Sequence, residues 1–181
     1  TLVANPLDSG NNVVSNILAS LPNKSRVSLW DRNTASYATV LGKALGNWQS
    51  PTTPLPIGKG MFLNLTTNNP ADVTLTFVGT VVPGPANSYT SSLPTVLELV
   101  GSVLPVTGQL TNATSQGPGT LNIGSSLANK SRIQIWDNSN PNIALHGFVP
   151  SDKALGNWNN NLTLSVGQGF FVKAGTNAAA G

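Results

Sequence analysis

The sequence predicts an all-β protein built as two tandem homologous modules, each a small β-sandwich or open barrel. Three observations carry that expectation: apolar residues recur with a period of two, 18 Gly and 13 Pro punctuate the 181 residues, and the chain repeats itself. A hydrophobic fraction of 39% suffices for a packed core and excludes a disordered tail.

Composition narrows the class of function. Only 8% of residues are charged, against about a quarter in ordinary domains, so Asn, Ser and Thr must coat the surface. Such a surface suits extracellular or assembled proteins. The basic pI of about 9.5 comes from nine Lys and Arg against six acids, a net charge of +3. The densest cation groupings, Lys24 with Arg26 and Lys130 with Arg132, fall short of the clustered footprint that nucleic-acid binding needs. No apolar run reaches the roughly 20 residues that span a bilayer. The chain has no Cys, and His146 is its single His, which excludes a disulfide framework, a thiolate nucleophile and a Cys- or His-rich metal site. No cofactor is expected. The first residue is Thr1 rather than Met, the form a secreted protein takes once its signal peptide is removed.

The repeat is carried by three blocks in one order. Asn23-Lys24-Ser25-Arg26-Val27-Ser28-Leu29-Trp30-Asp31 recurs as Asn129-Lys130-Ser131-Arg132-Ile133-Gln134-Ile135-Trp136-Asp137. Lys43-Ala44-Leu45-Gly46-Asn47-Trp48 recurs unchanged as Lys153-Ala154-Leu155-Gly156-Asn157-Trp158. Ile57-Gly58-Lys59-Gly60-Met61-Phe62-Leu63 matches Val166-Gly167-Gln168-Gly169-Phe170-Phe171-Val172, and Leu2-Val3-Ala4 and Leu7 match Leu99-Val100-Gly101 and Leu104 more faintly. The first module is therefore expected over 1–83 and the second over 95–181, joined by a turn-rich linker over 84–94.

Elements follow in order. Val13, Val14, Ile17 and Leu18 share one helical face, so a helix is expected between Val13 and Leu21, with Asn11 or Asn12 as its cap. Val27 and Leu29 alternate with Arg26, Ser28 and Trp30, as Ile133 and Ile135 do in the second copy, which makes each block a strand with one apolar face. The Gly-x-Gly pairs before Met61 and Phe170 supply turns that aim the next strand. Val73, Leu75 and Phe77 alternate with Thr74 and Thr76, a β-branched pattern that predicts a further strand. Near the end, Ile143 to Phe148 reads as a strand whose counterpart is Ala38 to Leu41.

At these blocks the chain resembles the tandem β-modules of secreted proteins of planctomycete and verrucomicrobial type: a Leu-Val-Ala start, a strand ending in Trp, then Gly-Asn-Trp, then Gly-x-Gly-Phe-Phe-Val. The resemblance spans nearly the whole chain. It implies export and a β-fold, and no activity or catalytic residue to carry over. In such modules a Thr- and Phe-rich strand follows the Gly-x-Gly block. The first module has one at Val73 to Val82, whereas the second reads Lys173-Ala174-Gly175-Thr176 and soon ends. The second module is therefore expected to lack its last strand, leaving Gly169, Phe170, Phe171, Val172, Lys173 and Ala174 as an open edge. Either the chain continues past Gly181 or another subunit supplies the strand, most simply through Thr1, Leu2, Val3, Ala4, Asn5, Pro6 and Leu7 or through residues near the linker.

The chemistry-bearing residues are few. Trp30, Trp48, Trp136 and Trp158 form two repeat pairs. Exposed, they would make a sugar platform with Asp31, Asn47, Asp137 and Asn157 bonding hydroxyls; otherwise each packs under a loop or stacks its own module's Arg. Carboxylates show no pairing in sequence of the kind glycosidases need. His146 reads as a half-buried structural residue, and no nucleophile elbow or P-loop occurs, so no enzyme is expected. The sequons at Asn23, Asn64, Asn112, Asn129 and Asn161 are about what this composition yields by chance. The expected function is a structural subunit of an extracellular fibril or surface layer, with copies of itself as partners joined head to tail by strand addition. The alternative is a tandem carbohydrate-binding or adhesive module with polysaccharide as partner.

Overall fold

The computed structural model describes residues 1–65, 73–82, 93, 95–111, 123–137 and 147–176. It is nearly all β, in antiparallel sheets without a closed barrel. The first sheet holds β1 (Leu2–Ala4), β2 (Ser25–Asp31), β3 (Ser36–Ala44), β4 (Asn47–Trp48) and β5 (Gly60–Leu65) in the order β1-β5-β2-β3-β4. The second holds β6 (Glu98–Gly101), β8 (Arg132–Trp136), β9 (Phe148–Ala154), β10 (Asn157–Trp158) and β12 (Gly169–Lys173) in the order β6-β12-β8-β9-β10. These two orders are the same when β6 stands for β1, β8 for β2, β9 for β3, β10 for β4 and β12 for β5. A small ribbon of β7 (Gly108–Gln109) with β11 (Thr163–Leu164) accompanies the second sheet. Residues 83–92 and 94, which make up nearly all of the expected linker, lie outside the described residues, as does His146.

Each sheet buries one face within its own module. In the first, Val27 stands opposite Leu41 and Leu63, and Leu29 opposite Met61, so the alternating residues of three strands make one apolar surface. It is covered by Val14, Ile17, Leu18 and Leu21. The second module buries Ile133, Phe170 and Val172 in the same way against Leu110, Leu127, Leu162 and Leu164. Burying each of these side chains stabilises the fold by about 1.5–3 kcal/mol.

Two expected elements differ. The helix is a single turn, α1 (Val14–Ile17), with Val13 at its N-cap and no side-chain cap. Asn12 instead receives Ser9 N and Asn5 Nδ2 and donates to Asp8, stabilising the loop before it. Residues 73–79 form no ladder, apart from the nearby Asp8–Thr80 bridge. Val73, Leu75 and Phe77 still turn toward the core. Their alternation follows from covering an apolar surface on one side, which needs no hydrogen-bonded neighbour.

The expected open edge is paired within the chain. β12 has β8 on one side, with Val172 opposite Ile133, and β6 on the other, with Phe171 opposite Leu99. The slot beside the Gly-x-Gly strand is filled in both modules by the module's own first strand: Leu2 lies opposite Phe62 in β1–β5. Hence Gly169, Phe170, Phe171, Val172 and Lys173 are paired on both sides and do not form the expected open edge. Ala174 packs against the second core. Thr1, Leu2, Val3 and Ala4 likewise complete their own sheet, where Leu63 N donates to Thr1 O at 2.8 Å. Asn5, Pro6 and Leu7 continue into their own module, with Asn5 Nδ2 donating to Leu55 O and Leu7 N donating to Asn5 Oδ1. β12 therefore presents no free edge to a strand from another subunit, because its hydrogen-bonding groups already have partners.

The opposite faces of the two sheets meet. Leu2, Leu99 and Phe171 are buried between them with Trp30, Tyr37, Phe62 and Trp136 packed around. Trp30 meets Tyr37 of its own module and Phe171 of the other, and Trp136 meets Phe148 of its own module and Phe62 of the other. The backbone contacts mirror this exchange. Val3 bridges Gln168 and Val100 bridges Lys59, while Ala4 N donates to Gly167 O at 2.8 Å and Gly101 N to Gly58 O at 2.9 Å. Each module's first strand thus reaches the other's Gly-x-Gly turn, so the inter-module contact has pseudo-twofold form. Gly60 and Gly169 permit it: a Cβ at Gly60 would lie 2.7 Å from Leu99 Cγ, and one at Gly169 would lie 2.8 Å from Val3 O.

Candidate functional site

The unchanged hexapeptides form the same hairpin twice. Ala44 pairs with Asn47 and Ala154 with Asn157, leaving two-residue turns of Leu45-Gly46 and Leu155-Gly156. All four turn residues have positive φ, 49° and 81° in the first and 51° and 82° in the second, the type I′ geometry that favours Asn-Gly. A leucine stands at the first position of each, and both leucines are 92% exposed. The turns are firmly held. Gly46 N donates to Asn23 Oδ1 at 2.7 Å and Gly156 N to Asn129 Oδ1 at 2.8 Å, while Asn47 and Asn157 donate to the carbonyls of Leu45 and Leu155.

The other recurring residues brace these hairpins from inside. Lys43 is buried, and its Nζ donates to Ala19 O and Leu21 O, each at 2.7 Å, at the end of the turn that continues α1. Lys153 donates likewise to Gly124 O and Leu127 O. Both cations supply donors to carbonyls at the end of a turn, where the backbone's own N–H groups run out.

No sugar platform is formed by the four tryptophans. Trp48 is buried with its Nε1 donating to Leu18 O, and Trp158 is half-buried with Nε1 donating to Gly124 O. Lys153 Nζ lies 5.9 Å from the Trp158 ring centroid, so the cation at that ring is lysine rather than arginine. Trp30 donates to Leu97 O across the module boundary, and Trp136 packs in the same aromatic cluster. The physical reason is that the face opposite Val27 and Leu29 is covered by the other module. Asn47 and Asn157 are engaged in their own turns, Asp31 accepts Asn33 N, and Asp137 follows β8 at the matching place in the second sheet.

Module docking creates a polar cleft that the sequence does not reveal. About 560 Å³ in volume, it is lined by residues that include Trp30, Asp31, Arg32, Lys59 and Glu98. Arg32 lies 3.6 Å from Glu98, and Lys59 donates to Trp30 O. No spacing rule links Glu98 to Asp31, because only the docking of one sheet on the other brings them to one cleft.

A second groove lies beside β2 and β3, about 480 Å³, lined by Lys24, Ser25, Arg26, Val40, Gly42, Lys43, Ala44 and Gln49. Ser25 Oγ is buried with no hydrogen-bond partner among the described residues. At the equivalent place in the second module, Arg132 grips Asp152 in a bidentate pair, Nε to Oδ1 at 2.6 Å and Nη2 to Oδ2 at 2.9 Å. Those hydrogen bonds hold the Asp152 carboxyl below the ordinary carboxylate range and raise the Arg132 guanidinium.

Among the described residues no group of three His, Cys, Asp or Glu side chains could hold a metal ion, and no helix is long and apolar enough to cross a membrane. No family model, curated protein or solved structure matches the chain.

Proposed function

We propose that the chain is a structural subunit of an extracellular fibril or surface layer whose copies join through the Leu45 and Leu155 hairpin tips. One observation, made twice, supports this reading: an aliphatic side chain at positive φ with 92% of its surface exposed. The left-handed conformation costs a branched residue such as leucine about 1–2 kcal/mol. Covering that side chain with a neighbour would return about 1.5–3 kcal/mol. A residue that strains its own fold and is left bare by it finds its use in a contact outside it. The tips belong to two different sheets, so a subunit carries two attachment points, as a polymer of copies requires. A surface poor in charge and rich in amides and hydroxyls suits close packing of copies outside the cell. Joining by hairpin tips replaces strand addition as the mechanism, since the strands that would exchange are already paired.

The test is the double variant Leu45→Asn/Leu155→Asn. Asparagine tolerates the left-handed region, so the variant is expected to melt at a higher temperature than the native chain while losing assembly, followed by light scattering and negative-stain microscopy. A variant that assembles as the native chain does, or a native chain that stays monomeric at high concentration, overturns the reading.

A further inference from the structure

The two modules differ at one strand-pair position in a way that defines a ligand. In the second, Arg132 lies directly opposite Asp152 across β8 and β9. In the first, Arg26 lies opposite Gly42 across β2 and β3. The same guanidinium is thus present twice, and its carboxylate once. Arg26 is exposed and has no ion pair among the described residues. Where the second module places the Asp152 side chain, the first has the groove beside Gly42, whose lining includes Val40, Ala44, Lys24 and Gln49. Gln49 Oε1 receives Gly42 N at 3.1 Å, as Asn159 Oδ1 receives Asp152 N at 2.9 Å, so the two sites share one frame and differ by the missing acid.

We infer that the Arg26 groove binds the carboxylate of an acidic polysaccharide, one uronate group per site, in the place that Asp152 occupies in the second module. A carboxylate matches the planar fork of a guanidinium with two parallel hydrogen bonds, the geometry already realised at Arg132. No acid stands opposite Arg26 across the strand pair as Asp152 stands opposite Arg132, and four of the chain's acids are already engaged elsewhere. Of its six acids, Asp152 and Glu98 are ion-paired, and Asp8 and Asp31 accept hydrogen bonds within their own turns. A net charge of +3 further disfavours a second copy as the donor of negative charge. Of the remaining lining, Lys43 Nζ is committed to the Ala19 and Leu21 carbonyls, while Lys24, Ser25 and Gln49 add polar groups beside short aliphatic surface, which suits a ring that carries a carboxylate and several hydroxyls. This inference stands independently of whether the hairpin tips assemble.

Titration calorimetry of the intact chain at low salt, with a galacturonate trimer, a neutral glucose trimer and a glutamate trimer, tests it. The uronate trimer is expected to bind at least tenfold more tightly than either of the others. Arg26→Gln should weaken that binding at least tenfold, and Arg132→Gln should leave it unchanged. The decisive variant is Gly42→Asp, which gives Arg26 an internal carboxylate. A Cβ there meets only the Gln49 side chain, at 3.5 Å, so the variant should fold, form the pair and lose uronate binding. Equal binding of uronate and neutral trimers, tighter binding of glutamate, or full binding by Gly42→Asp would each overturn the inference.

Discussion

Ala4 and Gly101 hold the same position in the two modules and face one another across the boundary, where a Cβ on Gly101 would overlap the Ala4 methyl. Near a pseudo-twofold axis equivalent residues meet themselves, and here there is room for one methyl. Gly101→Ala should therefore destabilise the protein by about 1–3 kcal/mol, the usual cost of overpacking. Ala4→Gly in the same chain should recover most of that loss. Urea unfolding of the two single variants and the double variant measures the coupling, and strictly additive effects would contradict the contact.

Phe171 is buried against Trp30, with ring centroids 4.8 Å apart, and it also touches Tyr37 and Phe148. It therefore ties both modules to one interface. Phe171→Ala should cost about 3–5 kcal/mol. Because the loss falls on the contact between modules, thermal unfolding should divide into two transitions. A single transition, merely shifted, would mean that the modules do not depend on this ring for cooperative unfolding.

Tyr37 occupies the place that Phe148 holds in the second module, opposite the equivalent tryptophan. Its hydroxyl is buried without a hydrogen-bond partner among the described residues. Burial pushes the phenol from 10.0 up to about 12. A folded-state value above the unfolded one favours the fold fully below pH 10, and that contribution is lost as pH rises toward 12. Tyr37→Phe should be stabilising at neutral pH by about 1 kcal/mol, since it removes an unsatisfied polar group. It should also abolish the native-minus-variant slope between pH 10 and 12 in denaturant titrations.

Lys43→Met removes two charge-assisted hydrogen bonds and leaves the Ala19 and Leu21 carbonyls without that donor. A loss of about 1.5–3 kcal/mol is expected. Lys153→Met should behave alike in the second module, while Lys173→Met, at an exposed site, should change stability by less than about 0.5 kcal/mol. Equal effects at all three lysines would show that net charge rather than carbonyl capping is responsible.

The sequence by itself determined the class, the repeat and the inward faces of the strands, because a period of two and three ordered blocks are local properties of the chain. Val27, Leu29, Ile133 and Ile135 lie on the apolar faces their alternation indicates, and Trp30 and Trp136 lie on the opposite ones. Tertiary structure alone decided what covers that second face and which strand fills each sheet edge. Alternation says that a residue faces one side of a sheet, but not whether that side meets solvent or another sheet. For this reason the sequence leaves Trp30 and Trp136 open between a surface platform and a packed position, and in space they form part of an interface. The short Leu2–Ala4 and Glu98–Gly101 strands carry too few residues to declare their partners, so the edge they close looked open. The leucine tips lay within the repeated hexapeptide, yet their exposure and positive φ emerge only when a two-residue hairpin fixes the backbone. The Arg26 groove depends on a cross-strand register that places Gly42 opposite the arginine in one module and Asp152 in the other. Register is set by the packing of the whole sheet, and no window of sequence contains it.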